Sequence, residues 1–466
     1  MAELESLTSP EMLITAFAGF RSLPLPVAQL SLAAVLQCGQ SFRWDTYPLY
    51  SGQTSPHDTS TPTHEYRLCL RDRVVCLRQS PDTLWYRSVF PVTSPINVAE
   101  EREVETLAWI KDYFQLHIDL DDLYDQWGKR DPVFQTVKQR FAGIRMLRQD
   151  PFENLMSFIC SSNNNIARIT KMVKALCQHY SPPLVTIPPP AMIDGSCPTA
   201  VPLPCVYYPF PSPSSLASPE VSQHLRSLGF GYRAEFVQRT AQMLVEAHSH
   251  AAVSEDVQEP AEKFLISLRQ RSTLEAREEL LNFVGVGRKV ADCVLLMSLD
   301  KREVIPVDTH VQQIAAKHYG LRAPAGKTNM TPKLYDEISN KMTAIWGDYA
   351  GWAHSVLFTS DLRAFASYGL PSPSPSPSKE RNKVAQSGAQ MPTAPDIPSP
   401  SPANRMKRRK SDQATTTLAG ESHTTNAATV AAEVETVEEL TMADRIKRRR
   451  RSCRTIVVSE ACQNNP

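Results

Sequence analysis

The sequence predicts an α+β fold: an N-terminal antiparallel β-sheet domain, mostly α-helical domains containing a helix-hairpin-helix motif, and a disordered C-terminal tail. Three observations predict it. Between Leu30 and Phe90, short runs of aromatic and apolar residues alternate with turn-rich stretches such as Ser51–Thr63. From about Val98 to Leu370, apolar residues recur at helical spacing. All 36 aromatic residues of the 466-residue chain lie at or before Tyr368, so residues 371–466 lack the side chains from which a core is built.

In chain order, residues 1–22 form an N-terminal segment. Met1–Phe20 holds three Glu and no Arg, unlike a transit peptide, and has no long apolar run of a secretory signal. Residues 23–118 form the sheet domain, with strands expected at Ser41–Trp44, Glu65–Leu70 and Arg73–Arg78. Leu107, Ile110, Phe114 and Leu116 begin the helical pattern, and Phe141, Ile144 and Leu147 continue it through a helical region assigned to 119–370. That region is interrupted by a Pro-rich insert, 182–219, which holds 12 of the 37 prolines. It is expected to be an extended, poorly ordered surface loop with no catalytic part. The tail, 371–466, opens with a Pro-Ser repeat and carries basic clusters at Arg405–Lys410 and Arg445–Arg451. Such runs serve nuclear import or nucleic-acid contact, and a solvated charge run is the plain alternative.

Apolar residues make up 42% of the chain, enough for a sizeable core, yet no apolar run approaches the ~18 residues that span a bilayer. Ten cysteines without metal-type spacing point to a reducing compartment. A monomer in the nucleus is expected, with mitochondria as an open second address. The whole-chain charge of +1 argues against nucleic acid as a partner. Divided at residue 370, however, the tail carries 15 basic and 10 acidic residues, net +5, and the body 35 and 39, net −4. Any DNA contact must therefore come from local features and the tail.

Three segments break the pattern of a bland helical domain. In Leu155–Thr170, Pro151 can open a helix, and the polar run Ser161–Asn165 interrupts it. Such residues compete with the helix for backbone bonds, so a turn is the plain reading; three amides could also read base edges. In Leu280–Leu299, an amphipathic stretch, Leu274–Phe283, meets Gly285-Val286-Gly287, and a second helix runs from Arg288 to Leu299. The hairpin's N–H groups and the following helix N-terminus suit a phosphate. Lys289, in that helix's first turn, is a phosphate contact or exposed lysine on the plain reading and a nucleophile on the sharper one. In Glu303–Gly320, Asp308 sits at a natural N-cap, and capping alone explains it. Asp292 is an equally good catalytic carboxylate by spacing, and spacing does not choose between them.

Six words in order over about Leu23–Leu370 give the chain a close resemblance to the eukaryotic 8-oxoguanine DNA glycosylase/AP lyase family of the helix-hairpin-helix superfamily. They are GQSFRW at Gly39–Trp44, RQDPFENLMSFICSSNNNIARIT at Arg148–Thr170, LGFGYRAEFV at Leu228–Val237, VGVGRKVADC at Val284–Cys293, IPVDTH at Ile305–His310, and GDYAGWAHSVLF at Gly347–Phe358. The resemblance implies a base-excision enzyme acting on duplex DNA with 8-oxoguanine opposite cytosine, without cofactor or metal. It implies Lys289 as the Schiff-base nucleophile, with β-elimination to follow, and Asp308 as the essential carboxylate. By the same resemblance, the Gly39 carbonyl accepts from the lesion's N7–H, and Tyr232 opens the strand. Asn163, Arg168 and Arg233 contact the orphaned cytosine. Phe358 and Cys293 flank the flipped base, Gly285 and Gly287 form the hairpin, and His310 completes the site.

Two positions depart from the family pattern. His354 stands where the family commonly has Gln, and neutral imidazole offers only one donor and one acceptor. A change in lesion preference or pH dependence is one outcome, and simple tolerance the other. Arg288 stands where a small residue is usual; it would add a phosphate contact, repel the Lys289 charge, or be tolerated. The competing readings are a monofunctional alkylbase glycosylase, which would work without Lys289, and a non-catalytic helix-hairpin-helix DNA-binding protein.

Overall fold

The structure, a computed structural model, describes residues 19–50, 61–91, 99–193, 203–249, 258–322 and 330–370. The N-terminal segment through residue 18 and the tail with both basic clusters lie outside the described residues. Five strands, β1 (Arg21–Pro24), β2 (Asp45–Pro48), β3 (His64–Cys69), β4 (Val74–Ser80) and β5 (Thr83–Val89), form an antiparallel sheet in the order β1-β5-β4-β3-β2. Residue parity sets its two faces. Tyr66 pairs with Leu77, and Leu77 with Tyr86, on one face. Together with Leu68, Val75 and Leu84 they pack against the short helix α1 (Leu32–Val35) and against Ile110 and Tyr113 of α2 (Ala99–Tyr113).

The opposite parity carries an unusual inner layer. Glu65, 0% exposed, accepts from Arg67 Nε at 2.6 Å and Arg78 Nε at 2.7 Å. What covers this face is the Pro-rich insert, and this corrects the expectation of a poorly ordered surface loop. Its described residues pair β6 (Val185–Ile187) with β7 (Cys205–Tyr207), and Ile187 and Tyr207 are buried against Cys69, Val74 and Cys76. Arg67 also donates to the Pro188 carbonyl at 2.8 Å, which fastens the insert to the sheet. Proline density misled here because the prolines flank the strands, while the pairing residues, apart from Cys205, are β-branched or aromatic.

Two further expectations are corrected. Ser41–Trp44 is not a strand but the approach to β2. Arg43 in that stretch donates to Glu153 and to the Cys69 carbonyl, so its bonds tie the sheet to the helical half. Phe141–Leu147 is not helical, although Phe141, Ile144 and Leu147 are all buried. Side chains satisfy this irregular backbone: the Tyr124 hydroxyl accepts from Ile144 N–H, and Gln40 Oε1 accepts from Leu147 N–H. Strands β1 and β5 were not expected.

The helices are α3 (Leu120–Arg130), α4 (Pro132–Val137), α5 (Pro151–Cys160), α6 (Ile166–Tyr180), α7 (Pro213–Ala217), α8 (Pro219–Ser227), α9 (Arg233–His248), α10 (Pro260–Ser267), α11 (Thr273–Leu281), α12 (Arg288–Ser298), α13 (Thr309–His318), α14 (Pro332–Trp346) and α15 (Ala350–Asp361). Six of them begin at proline, whose missing N–H costs nothing in the first turn. They enclose two cores. One gathers α5 to α12; the other gathers α3, α4 and α13 to α15. Helix α12 serves both, with Leu295 in the first core and Leu296 in the second. Lys289 opens this shared helix, and Asp308 opens α13.

Candidate active site

The hairpin leading into α12 needs one of its two glycines for its shape. Gly285 has φ +79°, and a Cβ there would lie 2.5 Å from Phe236 Cδ2. Gly287 is the exposed N-cap of α12 with φ −89°, and a Cβ there would have nothing within 4 Å. Gly285→Ala is therefore expected to cost more than about 1–2 kcal/mol, from the left-handed backbone and then the collision. Gly287→Ala should leave stability unchanged; chemical denaturation of both variants checks the contrast. The open space at Gly287 leaves the first N–H groups of α12 accessible to an anion.

Lys289 is half-buried, with Nζ 3.3 Å from Ser161 Oγ and 4.9 Å above the Phe158 ring centroid. Four residues on, Cys293 is buried; burial pushes its thiol up to about 11, against the pull of the Lys289 charge. Asp308 caps α13, accepting at Oδ1 from the N–H groups of His310 and Val311, both at 2.9 Å. Its Oδ2 has no hydrogen-bond partner among the described residues.

The other carboxylate that spacing allowed is occupied elsewhere. Asp292, 1% exposed, accepts from Arg277 Nε at 2.7 Å and from the Tyr335 hydroxyl at 2.7 Å. Arg288 is likewise engaged: Nη1 lies 2.5 Å from Asp336 Oδ1, and the guanidinium stacks 4.5 Å over the Tyr335 ring.

His354 is 6% exposed, and neither ring nitrogen has a hydrogen-bond partner among the described residues. Burial pushes its pKa down to about 4, with Lys289 and His310 reinforcing and Asp308 opposing. The ring is therefore neutral at physiological pH, with one donor and one acceptor unspent. Phe358 lies 6.0 Å from it and meets His310 edge-on at 5.1 Å. His310 Nε2 sits 3.2 Å from Asp361 Oδ2, close enough for an ion pair but not aligned as a hydrogen bond.

A second group of expected residues surrounds the Asn run. Asn165 caps α6, accepting from Arg168 N–H, and Asn164 donates to the Cys160 carbonyl. These two follow the plain turn reading. Asn163 is exposed at φ +47°, with its side chain unengaged among the described residues. Arg233, 3% exposed, donates to the carbonyls of Ser162 and Asn163, so the structure places it under the loop rather than at the surface. Tyr232 is 47% exposed, and its hydroxyl donates to the Ser162 carbonyl at 3.1 Å. Arg168 is exposed and donates to the Gly229 carbonyl. Gly39, φ +90°, lies against Ile166, where a Cβ would come within 3.0 Å of Cδ1. Ser161 joins the two groups, since the same polar run that carries Asn163 also holds Lys289. Sequence reasoning did not identify Ser161 or Asp361 as partners of Lys289 and His310; no spacing links residues so far apart in the chain.

Comparison with known proteins agrees with this architecture. Residues 22–155 match the family model described as 8-oxoguanine DNA glycosylase, N-terminal domain. Residues 156–339 match that of the HhH-GPD superfamily base excision DNA repair protein. The N-glycosylase/DNA lyase of Saccharomyces cerevisiae is 33% identical over 359 residues, covering 74% of this chain and 86% of that protein. The N-glycosylase/DNA lyase OGG1 of Arabidopsis thaliana is 35% identical over 349 residues, covering 73% and 80%. Among solved structures, MBOgg1 in complex with a low affinity DNA ligand superposes with a TM-score of 0.52 at 25% identity, covering 73% of this chain and 94% of that one. A paired sheet domain and helix-hairpin-helix domain, matched along most of two N-glycosylase/DNA lyases, show that the chain belongs to the 8-oxoguanine DNA glycosylase family.

Proposed function

We propose that the chain removes 8-oxoguanine opposite cytosine from duplex DNA and then cuts the strand, with Lys289 as nucleophile and Asp308 as the supporting charge. One observation carries the assignment. Of the two carboxylates that spacing allowed, Asp292 is held by Arg277 and Tyr335, whereas Asp308 spends only Oδ1 on its cap, and Lys289 stands half-buried in the first turn of α12 beside Ser161. A half-buried lysine with a carboxylate oxygen uncommitted is what the Schiff-base reading needs, and an alkylbase hydrolase would work without the lysine.

The target base must leave the duplex stack before its sugar is reached. The free amine of Lys289 attacks C1′, the glycosidic bond breaks, and its electron pair leaves on the base, which takes up a proton. Asp308, with Oδ2 uncommitted, stabilises the positive charge that develops on the sugar. The amine–sugar adduct opens to a Schiff base. Loss of a C2′ proton then expels the 3′ phosphate by β-elimination. Gly39, whose carbonyl has no hydrogen-bond partner among the described residues, is suited to accept from the lesion's N7–H. Phe358 and Cys293 would hold the flipped base, with His354 at its edge. Asn163, Arg168 and Tyr232 lie together where the opposite strand would be met, with Arg233 beneath them holding the Ser162 and Asn163 carbonyls.

Borohydride trapping on a duplex with one 8-oxoguanine opposite cytosine tests the reading. A covalent adduct and a cut strand are expected; base release without an adduct favours an alkylbase-type hydrolase, and binding alone a non-catalytic module. Placing adenine opposite the lesion should reduce base release, and substituting Asn163 should narrow that difference. Nuclear import through Arg405–Lys410 and Arg445–Arg451 belongs to the same proposal and is tested by deleting each cluster from a fluorescent fusion.

His354 gives a separate prediction. The unfolded chain binds its proton near pH 6.5 and the folded chain only near 4. Stability is thus complete above pH 6.5 and falls as pH drops toward 4, by on the order of 3 kcal/mol from this group. His354→Gln should remove that part of the acid sensitivity, measured as the difference in denaturation midpoints between pH 7 and pH 4.5.

A further inference from the structure

Asp292, Tyr335 and Val307 form a buried chain of hydrogen bonds beneath the site. The Tyr335 hydroxyl donates to Asp292 Oδ2 at 2.7 Å and accepts from Val307 N–H at 3.1 Å, so both of its capacities are used. Asp292 is three residues after Lys289 on α12, and Val307 immediately precedes Asp308. All three links are buried: Asp292 is 1%, Val307 2% and Tyr335 5% exposed. The remaining oxygen of Asp292 takes Arg277 Nε at 2.7 Å from α11, while Arg288 lies across the Tyr335 ring and pairs with Asp336 on the same helix, α14. The helix carrying the nucleophile and the loop carrying the carboxylate therefore meet at one phenol oxygen, supplied by a third helix.

We propose that Tyr335 is a positioning residue whose hydroxyl sets the separation between Lys289 and Asp308; this rests on the roles given to those two residues above. Without the hydroxyl, Val307 N–H loses its partner and Asp292 Oδ2 keeps only the longer ion pair with Arg288 Nε at 3.8 Å, so no hydrogen bond among the described residues joins the two. The Val307–Asp308 backbone is then free to move relative to α12. Asp308 remains folded as the cap of α13, but its Oδ2 no longer meets the charge developing at C1′. A displacement of about 1 Å at such a distance costs up to about 100-fold in rate.

The test compares wild type, Tyr335→Phe and Tyr124→Phe. Tyr124 is a matched control: its hydroxyl also bridges buried backbone groups, at Phe141 and Ile144, away from the site. Thermal stability, Kd for the 8-oxoguanine·cytosine duplex and the single-turnover rate of base release are measured for each. Tyr335→Phe should lose about ten-fold or more in single-turnover rate with Kd within about two-fold of wild type. Tyr124→Phe should lose stability but keep its rate. An unchanged rate in Tyr335→Phe, or an equal loss in Tyr124→Phe, overturns the proposal. Should Tyr335→Phe not fold, Asp292→Asn, which keeps an acceptor for the phenol, is compared with Asp292→Ala, which removes it. The Asn variant should be the faster by about ten-fold, and equal rates overturn the proposal. Wild type giving neither adduct nor base release would instead overturn the reading under Proposed function.

Discussion

Lys289→Gln is expected to give no borohydride-trapped adduct and to lose strand cleavage by on the order of 10³-fold or more, because an amide cannot form a Schiff base. The substitution is informative because it leaves the surroundings nearly intact. Glutamine is one bond shorter, so the fold loses the long contact to Ser161 Oγ, at 3.3 Å, and one cation–ring contact with Phe158, together worth about 1–2 kcal/mol at a partly exposed site. Thermal stability should therefore fall only modestly. Removing one positive charge weakens duplex binding modestly and lowers its salt dependence. The measurements are trapping yield, base release and cleavage on the 8-oxoguanine·cytosine duplex, with Kd at two salt concentrations. Wild-type levels of adduct from Lys289→Gln would assign the nucleophile to another residue.

Asp308→Asn separates charge from capping. The wild-type carboxylate spends Oδ1 on the amides of His310 and Val311, and asparagine is an equally good N-cap. Helix α13 should keep its start and the protein its melting temperature. Base release should nevertheless fall by about 10²–10³-fold, the scale on which one preorganised electrostatic group contributes to a transition state. Asp308→Ala loses the cap as well, about 1 kcal/mol of stability beyond the same catalytic defect. Single-turnover rates and melting curves of the two variants resolve both effects. A wild-type rate in Asp308→Asn would leave Asp308 with capping as its whole role.

The sequence was most informative where a local rule has a single outcome. Pro151 opening α5, the Asn run turning the chain, Asp308 capping α13 and the hairpin between α11 and α12 all follow from residue types within a few positions of each other. It was least informative where partners are remote. Asp292 and Asp308 are indistinguishable by spacing; they differ because Arg277 and Tyr335 converge on the first, while the second keeps an oxygen free. Nothing near Arg233 in the chain reveals that Ser162 and Asn163, some 70 residues earlier, take its guanidinium, so its place beneath the loop was not legible beside the cytosine contact that the resemblance implies. The Pro-rich insert reads as a loop because nothing nearby reveals that β3 and β4 have a second face needing cover. Phe141, Ile144 and Leu147 imitate helical spacing, but Ile144 and Leu147 are fixed by burial and by bonds to the Tyr124 and Gln40 side chains rather than by helical ones.

The sharing of α12 between two cores has a mechanical consequence. Adjacent residues, Leu295 and Leu296, are packed into opposite halves of the helical region. A hinge between those halves would have to pull one of the two side chains out of its core, at a cost of a few kcal/mol, comparable to unstacking a base. The protein is thus stiff along the line where a clamshell would bend. On the proposed mechanism, the work of bringing a sugar carbon to Lys289 would then fall on the duplex, which would extrude its nucleotide toward the protein.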